Sequence, residues 1–590
     1  MKRFFALACC SVLSVMAVNA YDYSSYSAKF TSSDYRTALN MGLKFFGGQR
    51  CGDTHNWMLE NNPNVTKKYC HMKDGQGSVN GGANGSYDLT GGWHDCGDHI
   101  KVATTMGYAA ISLLAAYDIW PTAFQDNYDE AYGAANGIPD VLDEAKVATD
   151  YFIKSFPDAS TFVYYVGTSS DHRNWVTSSY QSDMGVAEGG DPRPISTTTS
   201  TGGPQAANYC SALALMAMHY PDAAYCAKCK ASALVAYNYA KNYKSVQQGI
   251  PEFYSSPNSE WTDELSLAAI LMYRLTGDDT YKTEALSYLQ NKWESNSPLA
   301  WDTEADYAYY YITKAAPTAN NGSGGYFYDF LRKNVYVLHI PAGTSDANGF
   351  PYYKSTWGTN KLACGGAVAA ALYCKLVKDG VITTSYDTTL AHNFNQRIVD
   401  YMLGNNEFGH TFIHGFKGDM TFRIHHRNAM GRNDNPPSAT KNSCDFMFAS
   451  GGLIGGPSAT GVFKNVVEDN SGSFTYTEGG CDYNGPFVAA IASIVAQDDP
   501  VSNGVRTVRN SLFNVYPTAF DDYIIVDPVE VDYNGDAVAD LISITGQSVL
   551  SARVDGYKST ILYTSSLPRG IYLLKVSSSE GCKTYKVVKY

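Results

Sequence analysis

The sequence predicts a mainly α-helical chain: an α/α barrel followed by a small β-sandwich. Three observations carry this. From about residue 102 to 498 the chain repeats helical runs of 11 to 21 residues, rich in Ala, Leu and Tyr at i, i+3, i+4 spacing. Several runs, such as Ala206–Met218, are apolar on more than one face, as helices sandwiched between other helices must be. After Asp498 the pattern changes to short alternating runs broken by Gly, Pro and Asn turns.

Taken in order, Met1 to Ala20 reads as a secretory leader. Lys2 and Arg3 give a positive start, Phe4 to Val18 an apolar run, and Val18-Asn19-Ala20 small residues for cleavage. The run is too short to span a bilayer comfortably, and no later stretch reaches about 18 unbroken apolar residues. Helices are expected over 102–117, 141–156, 204–219, 223–243, 262–276, 280–294, 361–378, 385–403 and 486–496. Long polar loops are expected at 158–203, 295–330 and 404–482, and loops of that length usually carry function. Residues 21–498 then form the barrel domain, 499–512 a linker and 513–590 the sandwich, with strand-like runs at 523–526, 541–544, 560–563, 570–576 and 584–590.

Composition narrows the chemistry. The 590 residues are 44% hydrophobic and 13% aromatic, too apolar to remain unfolded. The 44 basic and 57 acidic residues give a net charge of −13, which offers no electrostatic reason to bind nucleic acid or an anionic membrane. A neutral substrate fits better. The 46 tyrosines suit sugar faces or a tyrosine-rich core equally. Of 13 cysteines, Cys9 and Cys10 leave with the leader, and the remaining odd number cannot pair completely. Cys210, Cys364 and Cys374 sit in Ala-rich helical runs as small hydrophobes, and Cys226-x-x-Cys229 lacks the second pair a zinc ribbon needs.

Three clusters can carry chemistry. Gly91-Gly92-Trp93-His94-Asp95-Cys96-Gly97-Asp98-His99 places two carboxylates in one turn, suited to holding and deprotonating a water, or to a calcium-like cap. Phe422-Arg423-Ile424-His425-His426-Arg427 is a basic cluster in an acidic chain; it reads as a binding clamp or as surface charge. Glu478, among Gly and Tyr before the last helix, becomes a proton donor if its pocket is apolar and is otherwise an exposed loop residue. A base, positioning groups and an acid are what hydrolysis of an uncharged acetal requires.

These motifs together resemble the glycoside hydrolase family 9 cellulases over roughly residues 34–498. Asp88-Leu89-Thr90-Gly91-Gly92-Trp93-His94-Asp95-Cys96-Gly97-Asp98 matches the family's D-L-x-G-G-W-[HY]-D-A-G-D, with Cys96 for Ala. His425-His426-Arg427 and Glu478-x-x-x-Asp482-Tyr483-Asn484 match H-H-R and E-x-x-x-D-Y-N, although Ile424 replaces the usual proline. The resemblance implies an inverting endo-β-1,4-glucanase on a six-hairpin α/α barrel, with Asp98 as general base, Asp95 sharing the water and Glu478 as general acid. It implies substrate contacts at His425, Arg427, His172, Trp175, Trp261, Trp357 and Tyr483, with cellulose or a related β-glucan as partner. Catalysis would need no cofactor. It also implies structural calcium or zinc, the zinc on Cys51, Cys70 and His71 with one more His from the Asp95 region; a Cys51–Cys70 disulfide competes and ranks slightly ahead. Inversion requires acid and base carboxyls roughly 6.5–9.5 Å apart, so Asp98 and Glu478 should face each other across one cleft.

The tail resembles the C-terminal sorting domains of type IX secretion, through Val515-Tyr516-Pro517, Ile544-Thr545-Gly546-Gln547, Leu567-Pro568-Arg569-Gly570-Ile571-Tyr572 and the Lys586–Lys589 strand. This implies export to the outside or the cell surface by a secretion machinery. A carbohydrate-binding module is the alternative and would show an exposed aromatic strip. For the barrel, the alternatives are action on xyloglucan, mixed-linkage glucan or chain ends, a non-catalytic glycan-binding protein, or a polysaccharide lyase.

Overall fold

A computed structural model describes residues 20–590 apart from 248–253, 255–260, 293–296, 324, 354–356, 422, 430–446, 465–473, 499–512, 529–536, 555–559 and 579–580. The leader through residue 19, the linker 499–512, Phe422 and Cys444 therefore lie outside the described residues. The chain divides into two compact units, Met1–Asp498 and Asp499–Tyr590.

Among the described residues, twelve longer helices form the two layers of the first unit: α1 (Ser32–Gln49), α2 (Ala103–Ile119), α3 (Asp140–Lys154), α4 (Gly203–His219), α5 (Ala223–Asn242), α6 (Thr262–Thr276), α7 (Asp279–Tyr288), α8 (Ala305–Ala315), α9 (Phe327–Lys333), α10 (Thr359–Lys378), α11 (Thr388–Met402) and α12 (Cys481–Asp498). Helices α2, α4, α6, α8, α10 and α12 each pack on the next, and α12 returns to α2, closing an inner ring. The other six lie outside it, α5 on α4, α7 on α6, α9 on α8, α11 on α10, α1 on α12 and α3 between α2 and α4.

Sequence explains the two layers. Inner helix α2 is buried on nearly all sides through small residues such as Ala109, Ala110 and Ala115, which let neighbours approach closely. Outer helix α3 buries Val141, Leu142, Ala145, Ala148 and Phe152, while Lys146, Asp150 and Lys154 are only partly covered. Caps fix several starts: Thr31 and Asp34 form a reciprocal capping box on α1, and the Asp222, Asp278 and Asp387 carboxylates cap α5, α7 and α11. No helix among the described residues is long and apolar enough to cross a membrane.

Two expected loops contain regular structure. Residues 158–203 include a small antiparallel sheet, Phe162–Val166 between Lys101–Val102 and Ile195–Thr198. Residues 295–330 include inner helix α8, whose Asp-Tyr-Ala-Tyr-Tyr-Tyr-Ile run has strand-like local preference but is nearly wholly buried in the ring. The last inner helix begins at Cys481 rather than at Pro486.

The second unit is two antiparallel-rich sheets around their own core of Val526, Leu541, Leu574 and Val587. One has five strands, in the order 519–520, 581–589, 570–578, 537–543, 548–554; the other has three, in the order 513–516, 523–528, 560–563. The strand 548–554 goes unrecognised in the sequence because Ser-Val-Leu-Ser-Ala-Arg-Val alternates only weakly, with adjacent Val549 and Leu550 both half-buried.

Candidate active site

Asp95 and Asp98 lie in the irregular turn that leads into α2, Glu478 just before α12, and His425 and Arg427 on a segment threaded between them. Backbone contacts tie the three pieces together. His425 N–H donates to Thr477 O (3.0 Å), Arg427 N–H to Gly97 O (3.0 Å) and Cys481 N–H to Asp95 O (3.0 Å). The approach is so close that a Cβ on Gly97 would stand 2.1 Å from His425 O, which is why glycine occupies the position between the two aspartates.

The pieces enclose a cavity of about 670 Å³ lined by Asp95, Asp98 and Glu478 together. Asp95 is clamped on both oxygens: Thr105 donates to Oδ1 and Tyr254 to Oδ2 (2.5 Å). Burial and the neighbouring Asp98 push it up to about 7. Asp98 accepts the Ile100 N–H on Oδ1 (3.0 Å) and has His172 Nε2 3.4 Å from Oδ2. Glu478 Oε2 accepts the Trp357 indole N–H (3.0 Å), and His425 Nε2 lies 4.0 Å from Oε1. Burial, then the negative charges of Asp98 and Asp95, raise the Glu478 carboxyl to about 8.

His172, Trp175, Trp357, His425, Arg427 and Tyr483 all line the same cavity. Arg427 is buried, pairs with Asp171 (2.8 Å) and lies over the Trp175 ring (5.4 Å). Trp357 is 40% exposed and offers a ring face to the cleft. Trp261 is a correction: it precedes α6, packs on Tyr288 with Lys244 over its ring, and does not line the cavity. Tyr254, Trp301, Asp302, Lys361 and Phe474 do line it and were not anticipated. Trp301 was the most legible of these, as a lone tryptophan in a polar loop. Lys361 is readable only through its partner, the buried Asp482.

Two further groups matter for metals. No disulfide joins Cys51 and Cys70: both are free thiols with sulfurs 4.0 Å apart. His71 Nδ1 stands 3.9 Å from Cys51 Sγ, and His94 Nε2 3.8 Å from Cys70 Sγ, all four residues being buried. Tetrahedral zinc with Zn–S near 2.3 Å sets its sulfurs about 3.8 Å apart, so this donor set fits that ion. Burial holds both imidazoles well below their usual range, neutral as ligands must be. The second group, Asp263, Glu264 and Glu304, is buried at the start of α6 and before α8; Glu264 Oε2 and Glu304 Oε2 have no hydrogen-bond partner.

Residues 35–491 match glycosyl hydrolase family 9. The chain belongs to that family. This family 9 chain is 35% identical over 298 residues to endoglucanase A of Fibrobacter succinogenes, covering 48% of itself and 62% of that relative. It is 27% identical over 483 residues to endoglucanase A of Bacillus pumilus, covering 79% of itself and 67% of the relative. Among solved structures, the cellulase Cel9M of C. cellulolyticum superposes with a TM-score of 0.63 at 27% identity, covering 79% of this chain and 99% of that one. Residues 514–590 match the secretion system C-terminal sorting domain, which marks the family 9 chain for secretion.

Proposed function

We propose that the protein is a secreted endo-acting β-1,4-glucanase that cleaves cellulose or a related β-glucan with inversion. The observation that carries this is the sharing of one cavity by Glu478, raised to about 8, and the Asp95–Asp98 pair. At neutral pH Glu478 keeps its proton. Its Oε2 is occupied by Trp357, so Oε1 is left to protonate the departing glycosidic oxygen. Asp95 has both oxygens taken by hydroxyl donors, so it orients a water rather than removing its proton. Asp98, with Oδ2 toward His172 and the cleft, is the base that deprotonates the water as it attacks the anomeric carbon. His425, Arg427 and His172 bind the sugar at the cleavage point, and Trp175, Trp357 and Tyr483 provide aromatic walls.

In this reading residues 1–20 are a leader, 21–498 the catalytic barrel, 499–512 a linker and 513–590 the export signal. Zinc on Cys51, Cys70, His71 and His94 would brace the turn that carries Asp95. Calcium in the polar loops would be a second structural ion. The test is Glu478→Gln on a panel of soluble glucans, with product anomers followed by NMR. Wild-type protein should release α-anomers, and the variant should lose 10²–10⁴-fold in kcat with no drop in melting temperature. Near-normal turnover in the variant would refute the assignment.

A further inference from the structure

Beyond the catalytic cavity lies a second depression of about 700 Å³, of similar size. Ser297 lines both, and its loop continues as Pro298 into the second wall and as Ala300 and Trp301 into the first. The two spaces therefore adjoin across one residue. Tyr352, Tyr353, Val337, Pro341 and Ala342 give the second depression apolar surface, and Ser345 and Asp346 give it polar groups. Its described lining holds no lysine or arginine, and its one histidine, His339, is buried behind the surface. Val337 is 57% exposed there, an apolar side chain without cover.

The wall is also braced. Val337 belongs to a π-helical turn, Asn334–His339, a rare conformation that frequently marks functional sites. Asn334 Nδ2 donates to the buried Asp306 (2.7 Å), and the Tyr353 hydroxyl stands 3.1 Å from Nδ1 of His339. Tyr352 is fixed by donating to Glu407 (2.9 Å) and by edge contact with Phe350. Apolar faces with a few placed polar groups on a rigid frame suit a neutral polyhydroxylated chain.

We propose that this depression is an accessory saccharide subsite that holds the glucan chain several units from the bond being cleaved. The proposal rests on the glucanase reading, and its test separates the two. Val337→Arg places a long charged side chain across the depression at an exposed position; Tyr352→Ala removes its aromatic wall. Each is assayed in the full-length protein against cello-oligosaccharides of increasing length. The subsite predicts a wild-type kcat/KM that rises with length. Both variants should lose about fivefold or more on the longest oligomers and less than twofold on the shortest. Equal losses at every length, or no loss at any, would overturn it. Failure of the wild type to cleave any member would overturn the glucanase reading itself, and the subsite with it.

Discussion

Glu478 shows how one carboxyl is prepared for its task by its surroundings. Taken out of water and facing Asp98 and Asp95, it holds its proton up to about pH 8, whereas an unfolded glutamic acid loses it near 4.5. Activity that needs the protonated form should fall about tenfold per pH unit above about 8. The same shift acts on stability. The folded chain holds a proton the unfolded chain lacks between 4.5 and 8, so this contribution is complete below 4.5 and is lost as pH rises through 8. Thermal melts of Glu478→Gln across that range should show a shallower decline than wild type; identical slopes would contradict the shift. Asp171 supports a second prediction at this scale. Its Oδ2 accepts from both Arg427 Nη1 (2.8 Å) and the His99 N–H (2.9 Å), so one oxygen joins Arg427 to the residue after Asp98. Asp171→Asn leaves the Arg427 charge buried without its partner, a loss of about 3–5 kcal/mol. A lowered melting temperature together with a raised KM is expected, and unchanged values of both would refute the coupling.

At the scale of elements, the segment from Cys51 to Asp98 holds little regular structure beyond the short helix Trp57–Asn61 and relies on side-chain contacts as well as isolated backbone bridges. Cys51, Cys70, His71 and His94 converge within 4.8 Å, and His94 immediately precedes Asp95. Metal analysis of the purified protein should find about one zinc, and Cys70→Ser should abolish it and lower the melting temperature; a metal-free wild type of full stability would exclude the site. This convergence also shows what sequence could convey. The three candidate donors Cys51, Cys70 and His71 are legible as a group, but His94 is assigned only to a region, because the fold alone decides which of His94 and His99 reaches the thiols. Helical periodicity revealed most of the barrel. It missed α1 and α9, it missed α8, where tyrosines with strand-like preference are forced into a helix by burial in the ring, and it missed the 548–554 strand, which alternates weakly. Asp95, Asp98 and Glu478 were readable because glycines and motif spacing isolate them. Tyr254 and Lys361 were not, since each is defined by a partner, Asp95 and Asp482, more than 100 positions away.

At the scale of the whole molecule, two cores serve two purposes. The barrel core draws on residues from Tyr23 to Val495, and the sandwich core on residues from Phe513 to Val587, with none shared. Every described residue of the catalytic cavity belongs to the first unit. A chain ending at Asp498 should therefore keep its kcat/KM on soluble glucan within about twofold, while the full chain alone is exported. The sandwich nevertheless carries one feature of a glycan-binding surface. Tyr523 and Tyr563 are directly paired on neighbouring strands and are 47% and 72% exposed. Ile561, paired with Ile525, extends the patch with aliphatic rather than aromatic surface, which leaves too short a platform to stack on successive glucose rings. Binding to insoluble cellulose should accordingly be the same for the truncated and full-length proteins, and Tyr523→Ala with Tyr563→Ala should leave it unchanged. A severalfold drop in either case would assign substrate binding to the tail in addition to export.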